Sequence, residues 1–102
     1  MHARVSQFHI LPGKSDDFAK AVESLIPLMR KQKGFRGVFV VHTQTTDPVA
    51  VQVMSLWDTL EDLDASETNL YFYQALSRVQ GFAQGFPSIH VHQVLVSEFE
   101  QT

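Results

Sequence analysis

Cysteine is absent from this chain of 102 residues, and tryptophan occurs once. Without cysteine there is no disulfide framework, no thiol nucleophile and no thiolate metal ligand, and such a chain suits a reducing compartment. No apolar run approaches the roughly 20 residues that cross a bilayer, and the N-terminal segment lacks the charged and then apolar pattern of a secretion signal. We therefore expect a cytoplasmic protein that does not contact a membrane.

Positive charge is also scarce, because 8 Lys and Arg residues face 11 Asp and Glu residues, for a formal net charge of -3. A nucleic-acid-binding surface needs clustered Lys and Arg to neutralise phosphates, and the sequence has no such cluster. We expect no nucleic-acid partner. The hydrophobic content of 44% over 102 residues is enough for one core, so residues 1–102 are predicted to form a single domain.

The pattern of apolar residues predicts the element order β-α-β-β-α-β. Segments rich in β-branched and aromatic residues predict four strands, at residues 3–10, 37–46, 49–57 and 88–100. Helical spacing of apolar residues predicts a first helix within residues 14–34 and a second helical region over 58–67 and 70–86, with a break near Thr68 and Asn69. This order is that of a ferredoxin-like α+β fold with an antiparallel four-stranded sheet.

Capping residues predict where the helices begin. Ser15 is the expected N-cap of the first helix. Asp58 is the expected cap of the second region, because Glu61 follows three residues later as in a capping box. Leu60 and Leu63 are then expected to turn towards the core.

Prolines predict three interruptions. Pro27 lies inside the first helical pattern and is expected to kink or loosen it. Asp47 and Pro48 predict a tight turn that makes the second and third strands a hairpin. Pro87 is expected to end the second helical region before the last strand.

Several strands carry apolar side chains on both faces. In the second strand Val38 and Val40 alternate with Phe39 and Val41, so the two pairs lie on opposite faces. The helices of this fold cover only one face of the sheet, so the other face needs a second cover. A second copy of the sheet, related by two-fold symmetry, would supply it, and the last strand would pair across the interface. We therefore predict an obligate homodimer.

Four stretches together carry a family resemblance: "PGK", "DDFAKAVESL", "GFRGVFV" and "SLWDTLEDLDASE". With them the chain resembles the antibiotic biosynthesis monooxygenase family of dimeric α+β barrels. The most recognisable piece is Trp57, followed by an acidic residue and a short helix. The resemblance implies a dimeric barrel and a mainly apolar pocket between sheet and helices, with Trp57 in its wall.

The family contains several activities, and haem degradation is one of them. Its haem-degrading members use an Asn on the first strand, the Trp, and a His on the following helix. Trp57 matches, but Ser6 or Gln7 stands where the Asn would be and Ser66 or Glu67 where the His would be. Without the His the proximal iron ligand is lost, so haem binding is the less favoured alternative.

Cofactor-free oxygenation is the family activity that the residues fit better. The substrate supplies the electrons once it has lost a proton, so the protein needs a dry aromatic pocket, a base and a cation for the developing phenolate. The predicted catalytic residues are His9 as the base and Arg78 as the cation. The predicted substrate-binding residues are aromatic: Trp57, Tyr71, Phe72 and Tyr73. No metal, flavin or other cofactor is predicted.

Each of these residues also has a structural interpretation. Trp57 fits equally well as a core residue whose indole N–H needs one partner. Tyr71 and Tyr73 are two positions apart on a helix, so we expect one to face inwards and the other outwards. Arg78 on a helix is more often a solvated surface residue.

Three histidines would form a metal site if they converged. His90 and His92 lie on one face of the last strand, and this topology places that strand beside the first strand, which carries His9. No Asp or Glu alternates with them, and strand histidines are usually exposed or hydrogen-bonded, so no metal site is predicted. The same histidines could line the polar part of a dimer interior.

The leading hypothesis is a dimeric, cofactor-free monooxygenase-like enzyme acting on a small aromatic or quinol-type substrate in an apolar pocket beside Trp57. The alternative is a non-catalytic dimeric module that binds a small apolar ligand, or a stable scaffold. Oxygen consumption by the purified protein would separate the two.

Overall fold

Strands and helices follow one another over the described part of the chain in the order β-α-β-β-α-α-β. The computed structural model describes residues 1–43 and 50–99. Its elements are β1 (His2–Ile10), α1 (Ser15–Arg30), β2 (Phe35–Thr43), β3 (Ala50–Trp57), α2 (Leu60–Glu67), α3 (Leu70–Gln80) and β4 (Ala83–Gln93). The turn predicted at Asp47 and Pro48 lies outside the described residues.

Strand β1 lies inside a four-stranded antiparallel sheet with the strand order β2-β3-β1-β4. The chain leaves β1 through α1 to one edge, returns through β2 and β3, and reaches the other edge through α2 and α3. Arg4 of β1 lies opposite Ser55 of β3 and Val91 of β4, which sets the register across the centre of the sheet. The ferredoxin-like α+β fold expected from the element order is confirmed.

The helices pack on one face of the sheet, which carries the even-numbered residues of β1. Phe8 and Ile10 are buried there, and the Phe8 ring centroid lies 4.9 Å from that of Phe18 on α1. Helix α1 buries one stripe at steps of three or four residues: Phe18, Val22, Leu25 and Met29. Each such side chain stabilises the fold by about 1.5–3 kcal/mol when fully buried, so this stripe is the main attachment of α1.

Helix α1 begins one residue earlier than the predicted cap implies. Ser15 is the first helical residue, and the cap position is Lys14, whose side chain makes no capping hydrogen bond. The prediction of Ser15 as N-cap is therefore wrong. The helix continues across Pro27, which lies on its exposed side, to Arg30. Among the described residues, no helix has the length and apolarity that crossing a bilayer requires.

Helix α2 is capped by Thr59, one residue after the predicted Asp58. The Thr59 side-chain oxygen accepts a hydrogen bond from the Asp62 backbone N–H at 3.1 Å. The Asp58 carboxylate instead pairs with the Arg36 guanidinium. This one-residue shift leaves Leu60 exposed, contrary to the prediction, and Leu63 fully buried, as predicted.

Strand β4 begins and ends earlier than predicted. The second helical region is divided as expected, with Asn69 as the cap of α3, but α3 ends at Gln80 and β4 already starts at Ala83. The pairing with β1 shifts register around residues 85–87, where Gly85 has a φ of 66°. A bulge accepts Pro87, which has no N–H to donate to a ladder, so the proline does not mark the boundary of the strand.

Candidate functional site

A cavity of about 60 Å³ lies between the sheet and helices α1 and α3. Every residue that α1 contributes to its lining is apolar, including the fully buried Phe18 and Leu25. Helix α3 contributes Leu76 and Val79 together with aromatic side chains at its N-terminal end. The helices therefore supply a mainly apolar wall.

The floor of the cavity carries polar side chains on two neighbouring strands. Arg4 and Ser6 come from β1, and Ser55 comes from β3 directly opposite Arg4. All three are buried. They share the helix-facing side of the sheet because residues two apart on a strand project from the same face. A compact group of hydrogen-bond donors thus lies beneath an apolar roof.

Arg4 is the central charge of this floor, and only 4% of its surface is exposed. One terminal nitrogen, Nη2, donates a hydrogen bond to the Ser66 hydroxyl. The Nε atom lies 3.4 Å from a carboxylate oxygen of Glu67, yet it is buried without a hydrogen-bond partner. The guanidinium carbon also lies 4.8 Å from the ring centroid of Phe72 and 5.5 Å from that of Trp57, within the range of cation–π attraction.

Helix α2 positions the groups that hold Arg4. The Thr59 cap starts the helix so that Ser66 points inwards, where its hydroxyl donates to the Leu63 carbonyl at 2.6 Å and accepts from Arg4. Glu67 follows at the partly exposed edge. A buried guanidinium is tolerated only when it is paired and hydrogen-bonded, so α2 is a structural requirement of the site.

Trp57 lies behind the floor and does not line the cavity. Its side chain is fully buried, and its indole N–H donates to the Ser55 hydroxyl at 2.9 Å. Its ring packs edge-on against Phe35 with centroids 5.6 Å apart. The geometry matches the core interpretation of Trp57, which contacts the site through Ser55 and Arg4.

The aromatic residues predicted on α3 are divided between the cavity and the surface. Tyr71 and Phe72 line the cavity, and Tyr71 is buried. Tyr73 is 62% exposed and lies outside it. Tyr71 and Tyr73 therefore face inwards and outwards respectively, as their spacing predicts. Of the three predicted aromatic residues on α3, Tyr71 and Phe72 line the cavity together with Arg4.

The two predicted catalytic residues do not reach the cavity. His9 is exposed between the core residues Phe8 and Ile10, so it projects from the opposite face of the sheet. Arg78 is exposed on the outer side of α3, near Tyr73. Neither side chain lines the cavity between the sheet and the helices.

Arg4 is not among the site residues predicted from the sequence, although strand alternation contains a signal for it. Arg4 and Ser6 are in phase with Phe8 and Ile10, which are the apolar residues that mark the core-facing side of β1. A charged residue in that row must be buried beside the helices. Arginine at such a position indicates either a buried ion pair or a binding site.

Within one chain, His9 does not come together with His90 and His92. His90 and His92 share a face, with ring centroids 6.5 Å apart, and lie opposite Val5 and Ala3. His9 pairs with Gln84 at the other end of the β1–β4 ladder. Within residues 1–43 and 50–99, no three or more His, Asp and Glu side chains are grouped as a metal site requires.

The sequence model of the family described as antibiotic biosynthesis monooxygenase matches residues 1–78. The match covers more than half of the chain and includes every polar residue of the cavity floor. No curated protein matches the sequence.

Solved structures share the fold at low sequence identity. A candidate antibiotic biosynthesis monooxygenase from Bordetella bronchiseptica superposes with a TM-score of 0.82 at 19% identity, covering 93% of this chain and 97% of that one. A second, from Caulobacter crescentus, gives 0.77 at 19% identity, with 93% and 90% covered. An anthrone oxidase-like protein gives 0.79 at 19% identity and covers 93% of this chain but 44% of that one. At these identities the structural matches establish the fold.

Proposed function

Because the chain belongs to the antibiotic biosynthesis monooxygenase family, we propose that it is a cofactor-free monooxygenase acting on a small aromatic or quinol-type substrate. The observation that carries the proposal is the cavity between sheet and helices, whose apolar and aromatic walls enclose the buried guanidinium of Arg4. Such a site excludes water and offers a fixed positive charge where a substrate anion would develop.

In cofactor-free oxygenation the substrate supplies the electrons, so the protein contributes mainly the environment of the site. A methylene ketone or quinol loses a proton, and the resulting anion passes electrons to molecular oxygen. For a methylene ketone, one oxygen atom becomes the new carbonyl and the other leaves as water with the two hydrogens of the methylene group. For a hydroquinone, one oxygen atom becomes a hydroxyl group on the ring of the quinone product and the other leaves as water with two hydrogens of the hydroquinone. Arg4 stabilises the oxyanion, while Tyr71 and Phe72 contact the ring.

Oxygen uptake with a one-ring hydroquinone tests the proposal. We expect Arg4→Met to lower kcat/KM by about 10²-fold, the usual effect of removing one oxyanion-stabilising group. Arg30→Met is the matched control, because Arg30 is an exposed arginine at the end of α1. Arg78→Met tests the prediction made from sequence. Loss of activity in Arg78→Met alone, or no oxygen uptake by the unaltered protein, would contradict the proposal.

A non-catalytic ligand-binding module is the second candidate function. It is favoured by the composition of the cavity lining, to which the described part of the chain contributes no carboxylate and no imidazole that would serve as a general base. His9, the predicted base, lies on the other face of the sheet. Saturable binding of an aromatic ligand without oxygen uptake would support this function.

Haem is a poor fit to these residues. The position where a haem-degrading member would carry its iron-ligating His falls on Ser66 or Glu67, and both side chains contact Arg4. The Ser66 hydroxyl already donates to the Leu63 carbonyl and accepts from the Arg4 guanidinium, so it is not available as an iron ligand.

The second part of the proposal is a homodimer in which two sheets pack face to face. The sheet face without helices exposes large apolar side chains, with Phe39 at 49% and Val41 at 46% exposure. Packing two such faces with two-fold symmetry would remove this area from water. A cytoplasmic location, which the lack of cysteine favours, also belongs to the proposal.

A further inference from the structure

We propose that the cavity selects an anionic ligand of a single ring, with its ionised oxygen bound by Arg4. The inference rests on the proposed function, since it names the substrate class of the same site. Two independent properties of the cavity carry it, namely the sign of its charge and its size.

The charge of the lining favours an anion. Arginine has five N–H donors and no acceptor, and the buried Nε of Arg4 lacks a hydrogen-bond partner. Ser55 accepts from the Trp57 indole N–H, which leaves its own O–H to donate. Among residues 1–43 and 50–99, no Asp, Glu or His lines the cavity, so a cationic ligand would find no counter-charge in this lining. A carboxylate or phenolate oxygen is the acceptor that these donors lack.

The Glu67 carboxylate supplies a negative charge beside the buried guanidinium of Arg4. Its carboxylate lies 3.4 Å from the Arg4 Nε, but its side chain is 34% exposed and the pair forms no hydrogen bond. Part of that carboxylate therefore keeps its hydration. A ligand oxygen with better geometry competes with Glu67 for the guanidinium and does not have to displace a tight ion pair.

The size of the cavity limits the ligand to one ring. A volume of about 60 Å³ is smaller than the roughly 150 Å³ of an apolar cavity that accepts benzene. A one-ring ligand therefore requires the lining to shift, and the half-buried Phe72 is the aromatic lining residue nearest the surface, with its ring centroid 6.0 Å from that of the exposed Tyr73. Fused rings would have to displace Phe18 and Leu25, which are fully buried in the main core.

Isothermal titration calorimetry with matched ligands tests the inference. Benzoate and benzamide have nearly the same shape and differ in charge, whereas 2-naphthoate keeps the charge and adds a ring. We expect benzoate to bind at least about tenfold more tightly than benzamide, which is what one charge-assisted hydrogen bond supplies. We expect 2-naphthoate to bind more weakly than benzoate. Failure of benzoate to bind, equal binding of benzamide, or tighter binding of 2-naphthoate would each overturn the inference.

Variants assign the charge preference to Arg4. We expect the preference for benzoate over benzamide to disappear in Arg4→Met and to persist in the control Arg30→Met. Because Arg4→Met removes a buried contact and could impair folding, Glu67→Gln provides a second measure. Removing the competing carboxylate should tighten benzoate binding by several-fold and leave benzamide unchanged. Unchanged or weaker benzoate binding in a folded Glu67→Gln protein would contradict the role of Arg4.

Oxygen uptake, measured on the same samples with a hydroquinone, separates this inference from the proposed function. Anion-selective binding without oxygen uptake would support the inference and overturn the oxygenase proposal. Oxygen uptake without any preference for anions would support the oxygenase proposal and overturn the inference of anion selectivity.

Discussion

Arg4, on β1, contacts side chains from three other elements of the fold. Its guanidinium is hydrogen-bonded to Ser66, ion-paired with Glu67, and placed near the faces of Phe72 and Trp57. These partners come from α2, α3 and β3. Since an unpaired buried charge would be strongly destabilising, each contact contributes to stability as well as to the geometry of the site.

We expect Ser66→Ala to destabilise the protein by about 1.5–3 kcal/mol, because it removes a hydrogen bond to a buried charged group. Urea unfolding followed by far-UV circular dichroism measures the loss. Ser24→Ala is the matched control: Ser24 also donates to a carbonyl three residues earlier at 2.6 Å, but it is exposed on α1. Equal effects of the two substitutions would show that the bond to Arg4 contributes no stability.

The sequence indicates what kind of site is present better than which residues form it. It predicts an apolar pocket with aromatic walls and a cation, and the structure has a cavity with these three features. The arginine that lines this cavity is Arg4, whereas the predicted Arg78 is exposed on α3. Both arginines are compatible with their elements, and only the pairing of β1 with β3 and its packing under α2 decide which one is buried. Strand alternation places Arg4 in the core-facing row of β1, but the contacts that pair its charge join residues far apart in the sequence.

At the scale of elements, periodicity predicts strands and helices because it reports which face each segment buries. The fold and the stripe of α1 follow from it. The boundaries of an element depend on small differences in free energy between neighbouring capping residues. Asp58 and Thr59 are both good caps, and their capping free energies differ by less than the free energy gained by burying Leu63. Before β4, the helical spacing of apolar residues continues past Gly81, but the residues from Ala83 onwards form a strand because they pair with β1.

Substitution of the two competing caps tests the start of α2. We expect Thr59→Ala to cost about 1 kcal/mol of unfolding free energy, because the Asp62 N–H loses its acceptor. Thr59→Ser keeps that acceptor and should cost less. Asp58→Ala breaks only an ion pair between exposed side chains and should cost about 0–1 kcal/mol. A larger loss in Asp58→Ala than in Thr59→Ala, measured by urea unfolding, would restore Asp58 as the principal stabiliser of this helix start.

At the scale of the whole molecule, the two faces of the sheet have different environments. The helix-facing side contains the core and the cavity, with Phe8 and Trp57 almost completely buried. The opposite side carries Phe39, Val41 and the two histidines of β4, all of them exposed. Exposed apolar side chains grouped on one flat face are typical of an interface. Because the cavity lies on the other side, the proposed dimer would stabilise the sheet beneath the site without covering its helices.

Introducing a charge on the open face tests the dimer directly. We expect Phe39→Asp to convert a dimer into a monomer at micromolar concentration, since two-fold packing would bury the new carboxylate in each subunit without a partner. Leu70→Asp is the matched control, because Leu70 is 67% exposed on α3, away from this face. Sedimentation velocity gives the mass of each variant. A monomeric unaltered protein would contradict the proposed dimer. A Phe39→Asp variant that sediments as a dimer would show that the open face is not the interface, because an unpaired buried carboxylate is incompatible with tight packing of the two sheets.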